Sequence, residues 1–444
     1  MSKNYLSFGK VLTDCSPAAT GEIIIPDDVD IIDKDAFSGC DLIESVVIPD
    51  SVEVIRFGAF SKCSNLKSIK FGNGLKRIDA LAFDCDSLES IVIPASVEYI
   101  CDLAFCSSES LGSIEVDSKN KLYDSRDNCN AIIETSSNTL ILGCASSSIP
   151  EGVTVIGHDA FSGCSDLVGI WIPDSVTSIG DWAFSSCDYL DEIRIPKSVA
   201  TIGNWAFEDC TSLAEVVISN GVTRIGNGAF GGCSSLESIV VDSNNKVYDS
   251  RNNCNAIIHT ESNTLIAGCK NTIILEGVTK IGEGAFSGCT SLTSIVIPDS
   301  VTEIGRSAFW RCESLKKVSI PEGVTEIGDE AFGGCSSLES IVVDSNNKVY
   351  DSRNNCNAII HTESNTLIAG CKNTIILEGV TRIADGAFRG CSSLTEIVIP
   401  ESVTWIGNCA FWGCSSLKKV SIPERFKERE AEIFGEHTAE ITYY

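Results

Sequence analysis

Twenty-two cysteines, four histidines and 61 acidic residues are the side chains of this 444-residue chain that could bind metal, exchange disulfides or move protons. Thirteen cysteines follow an Ala-Phe pair. Eleven stand three residues after the Phe: Cys40, Cys63, Cys164, Cys187, Cys210, Cys233, Cys289, Cys312, Cys335, Cys391 and Cys414; Cys85 and Cys106 lie closer to theirs. Placement this regular reads as an internal column of small reduced thiols, since free cysteine is among the most buried residue types. Stacked units bring such thiols about 5 Å apart but aim them the same way rather than at each other. At about 5% of the chain, cysteine also falls below the density of a disulfide-dependent scaffold.

Six further cysteines form pairs fifteen residues apart: Cys129 with Cys144, Cys254 with Cys269, and Cys356 with Cys371. Their spacing leaves open both a bridge and free thiols. No Cys-x-x-Cys or His-x-x-x-His arrangement offers a zinc site, so no metal is expected. Of His158, His259, His361 and His437, the middle two hold the same place in duplicated segments, where an earlier copy has Glu134. None has a nucleophile at a supporting spacing. The Asp-Ser-Asn-Asn runs are rich in oxygen but depart from the Asp-x-Asp-x-Asp-Gly calcium loop. With no phosphate-binding glycine loop and no acyl-transfer elbow either, the expectation is a non-enzyme without cofactor.

The elements that carry these residues are set by a lattice. Ten of the eleven prolines fall on it: Pro26, Pro49, Pro94, Pro150, Pro173, Pro196, Pro298, Pro321, Pro400 and Pro423. Gly72, Asp117, Ser219, Asp242, Leu275, Asp344 and Leu377 complete it, in steps of 23 residues with one of 22 and three of 33. A fixed period in this range marks a repeat architecture, in which each unit buries its apolar side only against its neighbours. In the unit around Pro298, Ile295 and Ile297 alternate with Val296, the period-2 pattern of a strand with one buried face. Pro298 lacks the N–H that a ladder needs and ends the strand. Val301 and Ile304 point inward from a second short stretch. Ala308, Phe309, Cys312 and Leu315 have spacings that predict a short helical turn.

The pattern Leu-x-x-Ile-x-Ile-Pro-x-x-Val-x-x-Ile-Gly-x-x-Ala-Phe-x-x-Cys resembles the BspA-type leucine-rich repeat over roughly residues 21 to 423. The resemblance implies a curved, right-handed, strand-rich solenoid of the α/β leucine-rich-repeat type, with a parallel sheet on its concave side. It implies a surface or secreted protein that binds host proteins or other cells. About eighteen strand-bearing rungs are expected, between an irregular amino-terminal cap (residues 1–20) and a carboxy-terminal cap (424–444) of one charged helix and a last strand.

The 33-residue steps begin near 117, 242 and 344, where Asp replaces Pro. In the second, Ala256-Ile-Ile and Leu265-Ile-Ala flank a polar turn, which predicts a hairpin. Each long unit is read as a rung whose helical turn is replaced by a hairpin protruding from the edge or convex side. His259 with Glu261, and His361 with Glu363, would mark a repeated hairpin patch. Residues Ala229–Thr279 recur unchanged at Ala331–Thr381, 102 residues later, as a duplicated block.

Binding would fall on the strand residue two before each lattice position. This row includes Lys70, Val92, Trp171, Arg194, Val217 and Val240. Trp and Arg are enriched at binding hot spots, although β-branched residues also suit any half-exposed strand. The formal charge of −28 disfavours nucleic acid and suits basic protein partners; host-derived partners are what the resemblance implies. No stretch approaches the ~20 apolar residues of a membrane span. The amino terminus lacks the apolar core of a secretory signal, which leaves the cytoplasm open alongside the cell surface. The leading expectation is a protein-interaction scaffold or adhesin; the alternative is an intracellular structural or assembly element without a dedicated ligand.

Overall fold

A computed structural model describes residues 5–8, 10–106 and 108–444, without the side chains of residues 5–8. Its contacts divide into two compact units, residues 1–213 with 221–226 and residues 214–220 with 227–444. Both are stacks of rungs with two parallel strand ladders, and helix is confined to short segments.

In the first unit one ladder is the sheet Gly21–Ile24, Ile43–Val47, Ser68–Lys70, Ser90–Ile93 and Ser113–Val116. At its end each chain turns through the Pro-x-x-Val step, with the Val52 N–H donating to Pro49 O (3.2 Å). It then enters a ladder of two-residue strands such as Val54–Ile55 and Arg77–Ile78, paired in register. Ile55 and Ile78 face a core that runs the length of the stack.

The Ala-Phe corners, expected as short helical turns, are not helices. The amides of Ser38 and Cys40 donate three residues back, to Asp35 O and Phe37 O (both 3.0 Å), but Asp35 and Gly39 hold φ of 55° and 72°. Those left-handed residues break the helical path and aim alternate amides along the stack. Asp35, Phe37 and Gly39 donate to Phe57, Ala59 and Ser61 of the next rung at 3.0, 2.7 and 2.9 Å. The corner is therefore a third ladder, built from turns. It stacks the phenylalanines in columns, with Phe37, Phe60, Phe83 and Phe105 4.6 to 5.3 Å apart.

The thiol column has a hydrogen-bonding reason. Cys63 Sγ donates to Phe37 O (3.0 Å), which already accepts the Cys40 amide, and Cys187, Cys210, Cys312, Cys335 and Cys414 repeat the contact to the preceding rung's Phe. Cysteine thus supplies a small buried donor for the second lone pair of each carbonyl. Cys106, expected in this column, is only half-buried. The Ser108 hydroxyl takes its place on Phe83 O (3.0 Å), because Ser108 keeps the three-residue offset from Phe105.

The long units also depart from expectation. Their hairpins do not protrude: Ile132–Glu134 and Thr139–Leu142 are antiparallel, largely buried, and woven into the two-residue ladder, where Leu140 pairs with Ile156. The second unit repeats this with Ala256–His259 and Thr264–Gly268, then with Ala358–His361 and Thr366–Gly370. What a long unit omits is the corner. Gly143, Gly268 and Gly370 lie against the rings of Phe161, Phe286 and Phe388, where an added Cβ would come within 2.1–2.2 Å of a ring carbon. In the second unit the neighbouring corners meet directly across the gap, the Gly232 amide donating to Ser287 O and the Gly334 amide to Arg389 O (both 2.7 Å). Arg389 also lies over Trp310 and Trp412 (5.0 and 4.7 Å) and pairs with Glu330 (2.7 Å).

The amino-terminal segment is more regular than expected. Tyr5–Phe8 and Val11–Cys15 pair antiparallel, and the latter joins the two-residue ladder; residues 1–4 lie outside the described residues. At the carboxy terminus a 3-10 turn (Glu424–Arg429) leads into the helix Glu430–Phe434, whose Phe434 extends the aromatic column onto Phe411 (5.3 Å). The strand Glu440–Tyr443 closes the sheet against Lys419–Ile422.

Candidate functional site

Alternation along the sheet strands sends one residue of each rung outward, two before the lattice position. In the first unit Lys70, Val92, Trp171 and Arg194 are exposed there, while Ile69, Ile93, Ile172 and Ile193 turn into the core. In the second unit Val217 and Val240 are exposed in the same register, joined by Ile273, Val296, Val342, Ile375 and Val398. The first unit's row is mixed in charge and the second's is almost wholly aliphatic. Trp171 is 71% exposed and borders a shallow depression with Val168, Asp191 and Glu192; the Arg194 guanidinium lies beside it, paired with the Glu192 carboxylate.

Exposure peaks beside the long units for a backbone reason. Each long unit threads a Cys-Asn step into the sheet side of the stack. The amides of Ser148, Ile273 and Ile375 then donate to Cys129 O, Cys254 O and Cys356 O (2.9–3.0 Å) instead of to a neighbouring strand. The extended stretches that follow are unladdered. Gly169 makes only an isolated bridge to Glu192, and residues 272–275 and 292–298 form no strand. Val296, within the second of these, is 80% exposed.

A second row escaped the sequence reading. One residue past the lattice position, every rung exposes its side chain at the end of the sheet strand. In the first unit this row includes Asp27, Asp50, Glu151 and Asp174, with Lys197; in the second it carries Glu276, Asp299, Glu322, Glu378, Glu401 and Glu424 and no basic residue. The signal was available in the repeat register: an acidic residue follows the lattice position in the rungs of Ile24, Trp171, Ile273, Val296, Ile375 and Val398, the most exposed apolar members of the row.

The hairpin residues sit at turn tips. His259 Nδ1 accepts the Ser262 amide (3.2 Å) and lies 2.9 Å from Ser262 Oγ, and its ring meets Tyr248 edge-on at 5.6 Å. His361 repeats this with Ser364 and Tyr350. Glu261 and Glu363 are exposed beside them. The two histidines thus close their turns through Nδ1. The hairpin cysteines are free thiols: Cys269 Sγ donates to Asn255 O (3.7 Å) and Cys371 Sγ to Asn357 O (3.5 Å). Burial pushes the Cys289, Cys335 and Cys391 thiols up to about 12, so these three are protonated and unreactive at neutral pH. Among the described residues no three His, Cys, Asp or Glu side chains are grouped to hold a metal ion, and no helix is long and apolar enough to cross a membrane.

These rungs match the family model of the BspA type leucine rich repeat region over residues 16–130, 141–257, 265–366 and 368–442. The chain belongs to the BspA-type leucine-rich repeat family. Among solved structures it is similar to three bacterial proteins. A leucine-rich repeat protein from Bacteroides ovatus is 28% identical, covering 96% of this chain and 84% of that one, with a TM-score of 0.38. One from Eubacterium ventriosum is 22% identical, covering 74% and 91%, with a TM-score of 0.48. A leucine rich cell surface protein from Faecalibacterium prausnitzii is 24% identical, covering 96% and 93%, with a TM-score of 0.38. No curated protein matches.

Proposed function

We propose that the chain is a protein-binding scaffold displayed at the cell surface, and that it engages its partner through the sheet face. The observation that carries this reading is the exposed apolar side chains within each unit, Trp171 in the first and Val296 in the second, on stretches whose alternate residues Ile172 and Ile297 pack into the core. Contiguous exposed apolar surface of this kind marks contact sites. Trp171 and Arg194 are the anchors of the first unit, with Lys70 and Val92 earlier in the same row; Val217 and Val240 belong to the row of the second. The hairpin tips at His259, Glu261, His361 and Glu363 are subsidiary contacts. Surface display is the placement implied by the family.

The test is partner capture by the full chain, with identification of what is bound, against the double variant Trp171→Ala/Arg194→Ala. Loss of the partner with an unchanged thermal melt supports the sheet-face reading, and undiminished capture removes these anchors. Protease shaving of intact cells tests display: a chain that resists digestion until the cells are lysed lies inside them.

A further inference from the structure

The sheet-face reading leaves the chemistry of the partner open, and the duplicated block of the second unit narrows it. Ile273 and Val296 are its most exposed aliphatic neighbours, on the two successive rungs where the sheet carries no ladder. Three residues further along their own and the following rung stand Glu276, Asp299 and Glu322, all exposed, and among the described residues none has an ion-pair or hydrogen-bond partner for its carboxylate. Two exposed aliphatic side chains, followed in the same row by Ser319, thus run beside three carboxylates.

The same surface occurs again 102 residues later, with Ile375 and Val398 beside Glu378, Glu401 and Glu424. There the chain's own carboxy-terminal cap reaches the acidic edge at Glu401, while Ile375 and Val398 stay exposed. Arg425 pairs with the Glu401 carboxylate and donates to Glu401 O (3.0 Å) and Val403 O (2.7 Å). Lys427 pairs with Glu424 (3.2 Å), and the Tyr444 hydroxyl donates to Ile399 O. A guanidinium on Glu401 and a tyrosine hydroxyl on Ile399 O are therefore what the edge of one copy accepts, Lys427 and Glu424 pairing within the cap's own turn. In the other copy the position of Arg425 is Gly323, and the surface stands bare.

We propose that Ile273, Val296, Glu276, Asp299 and Glu322 form a docking site for a basic amphipathic helix of a partner protein. This rests on the sheet-face reading and adds the occupant. Rungs repeat every ~4.8 Å and helical turns every ~5.4 Å, so a helix laid along the rows drifts by only about 1 Å over three rungs. Same-side residues of an extended chain, roughly 6.7 Å apart, fall out of step by about 4 Å over the same distance. A helix with one apolar and one basic side chain per turn places the first over Ile273 and Val296 and the second over the carboxylates. Attraction between the rows fixes its orientation, since an acidic helix is repelled.

The experiment uses the full chain and a fluorescent synthetic helix carrying Leu and Arg in adjacent rows, followed by anisotropy. The wild type is expected to bind it. Val296→Asp and the triple variant Glu276→Lys/Asp299→Lys/Glu322→Lys should each weaken binding by about tenfold or more. These side chains are exposed, so unchanged thermal melts separate lost docking from lost folding. No binding by the wild type, equal binding of a scrambled peptide of the same composition, or undiminished binding by the triple variant overturns the proposal. Self-association of the wild type that the triple variant abolishes would make the occupant a second copy, and overturns it too. A chain that ignores the peptide yet loses its captured partner on Trp171→Ala/Arg194→Ala keeps the scaffold reading and loses only this site.

Discussion

An ordinary corner and a long unit face the same requirement, that every buried amide and carbonyl find a partner, and meet it with different materials. The ordinary corner bonds amides one rung onward, fills the core with a stacked Phe, and gives the second lone pair of the Phe carbonyl to a thiol. The long unit has no corner. It sets a glycine against the next Phe ring, turns back through buried antiparallel strands, and in the third copy caps the preceding ladder with a tyrosine, whose hydroxyl accepts the Ile327 amide (3.1 Å). The interruptions release sheet strands from their ladder and expose the surface offered for binding.

Alkaline pH should separate the two most strongly. At the ordinary corners Cys289, Cys335 and Cys391 are raised from 9.0 to about 12 by burial. Below pH 9 folded and unfolded thiols both keep their protons and stability is unaffected. Between 9 and 12 only the unfolded thiols ionise, so the unfolded state binds fewer protons. Each thiol then removes about 1.4 kcal/mol of stability per pH unit. Urea midpoints from pH 8 to 11 should fall steeply, and a flat profile would contradict the buried column. Phe309→Ala, in mid-column between Phe286 and Phe332, should cost about 3–5 kcal/mol by the same assay.

At a long unit the smaller effects come from adding or trimming single groups. Gly268→Ala drives a methyl into the Phe286 ring and should cost about 1–3 kcal/mol, seen as faster hydrogen exchange at Ala285 and Phe286. Equal exchange in variant and wild type would mean that the ring yields freely. Tyr350→Phe strips the acceptor from the Ile327 amide and should cost about 1 kcal/mol, with exchange accelerated at that amide alone.

Much of this comparison was legible in the sequence. The lattice, the inward Ile and Val positions, the Phe-Cys offset and the outward row at Trp171 and Val296 all follow from periods of two and 23, which a single chain displays in one dimension. The hairpin at Ala256–Gly268 was legible too, from two apolar runs around a polar turn. Its burial was not, because a buried antiparallel strand and a protruding one share the same residue pattern. The corner was misread for a related reason: i, i+3 and i+4 spacings fit both a helical turn and a run of turns with left-handed residues, and Asp35 or Trp182 at φ near 50° gives no compositional warning.

The sequence by itself determined the repeat, its register and the family, since each rests on residues that recur at fixed intervals. Tertiary structure decided which groups pair over distance. The Gly232 amide finds Ser287 O across a whole long unit, Ser108 replaces Cys106 on Phe83 O, and Arg425 pairs with Glu401 where the equivalent place 102 residues earlier holds Gly323. Hydrogen bonds and ion pairs are satisfied in space, and their partners here lie 24 to 55 residues away. Periodicity places the rungs; only stacking them shows which groups are left for another molecule to satisfy.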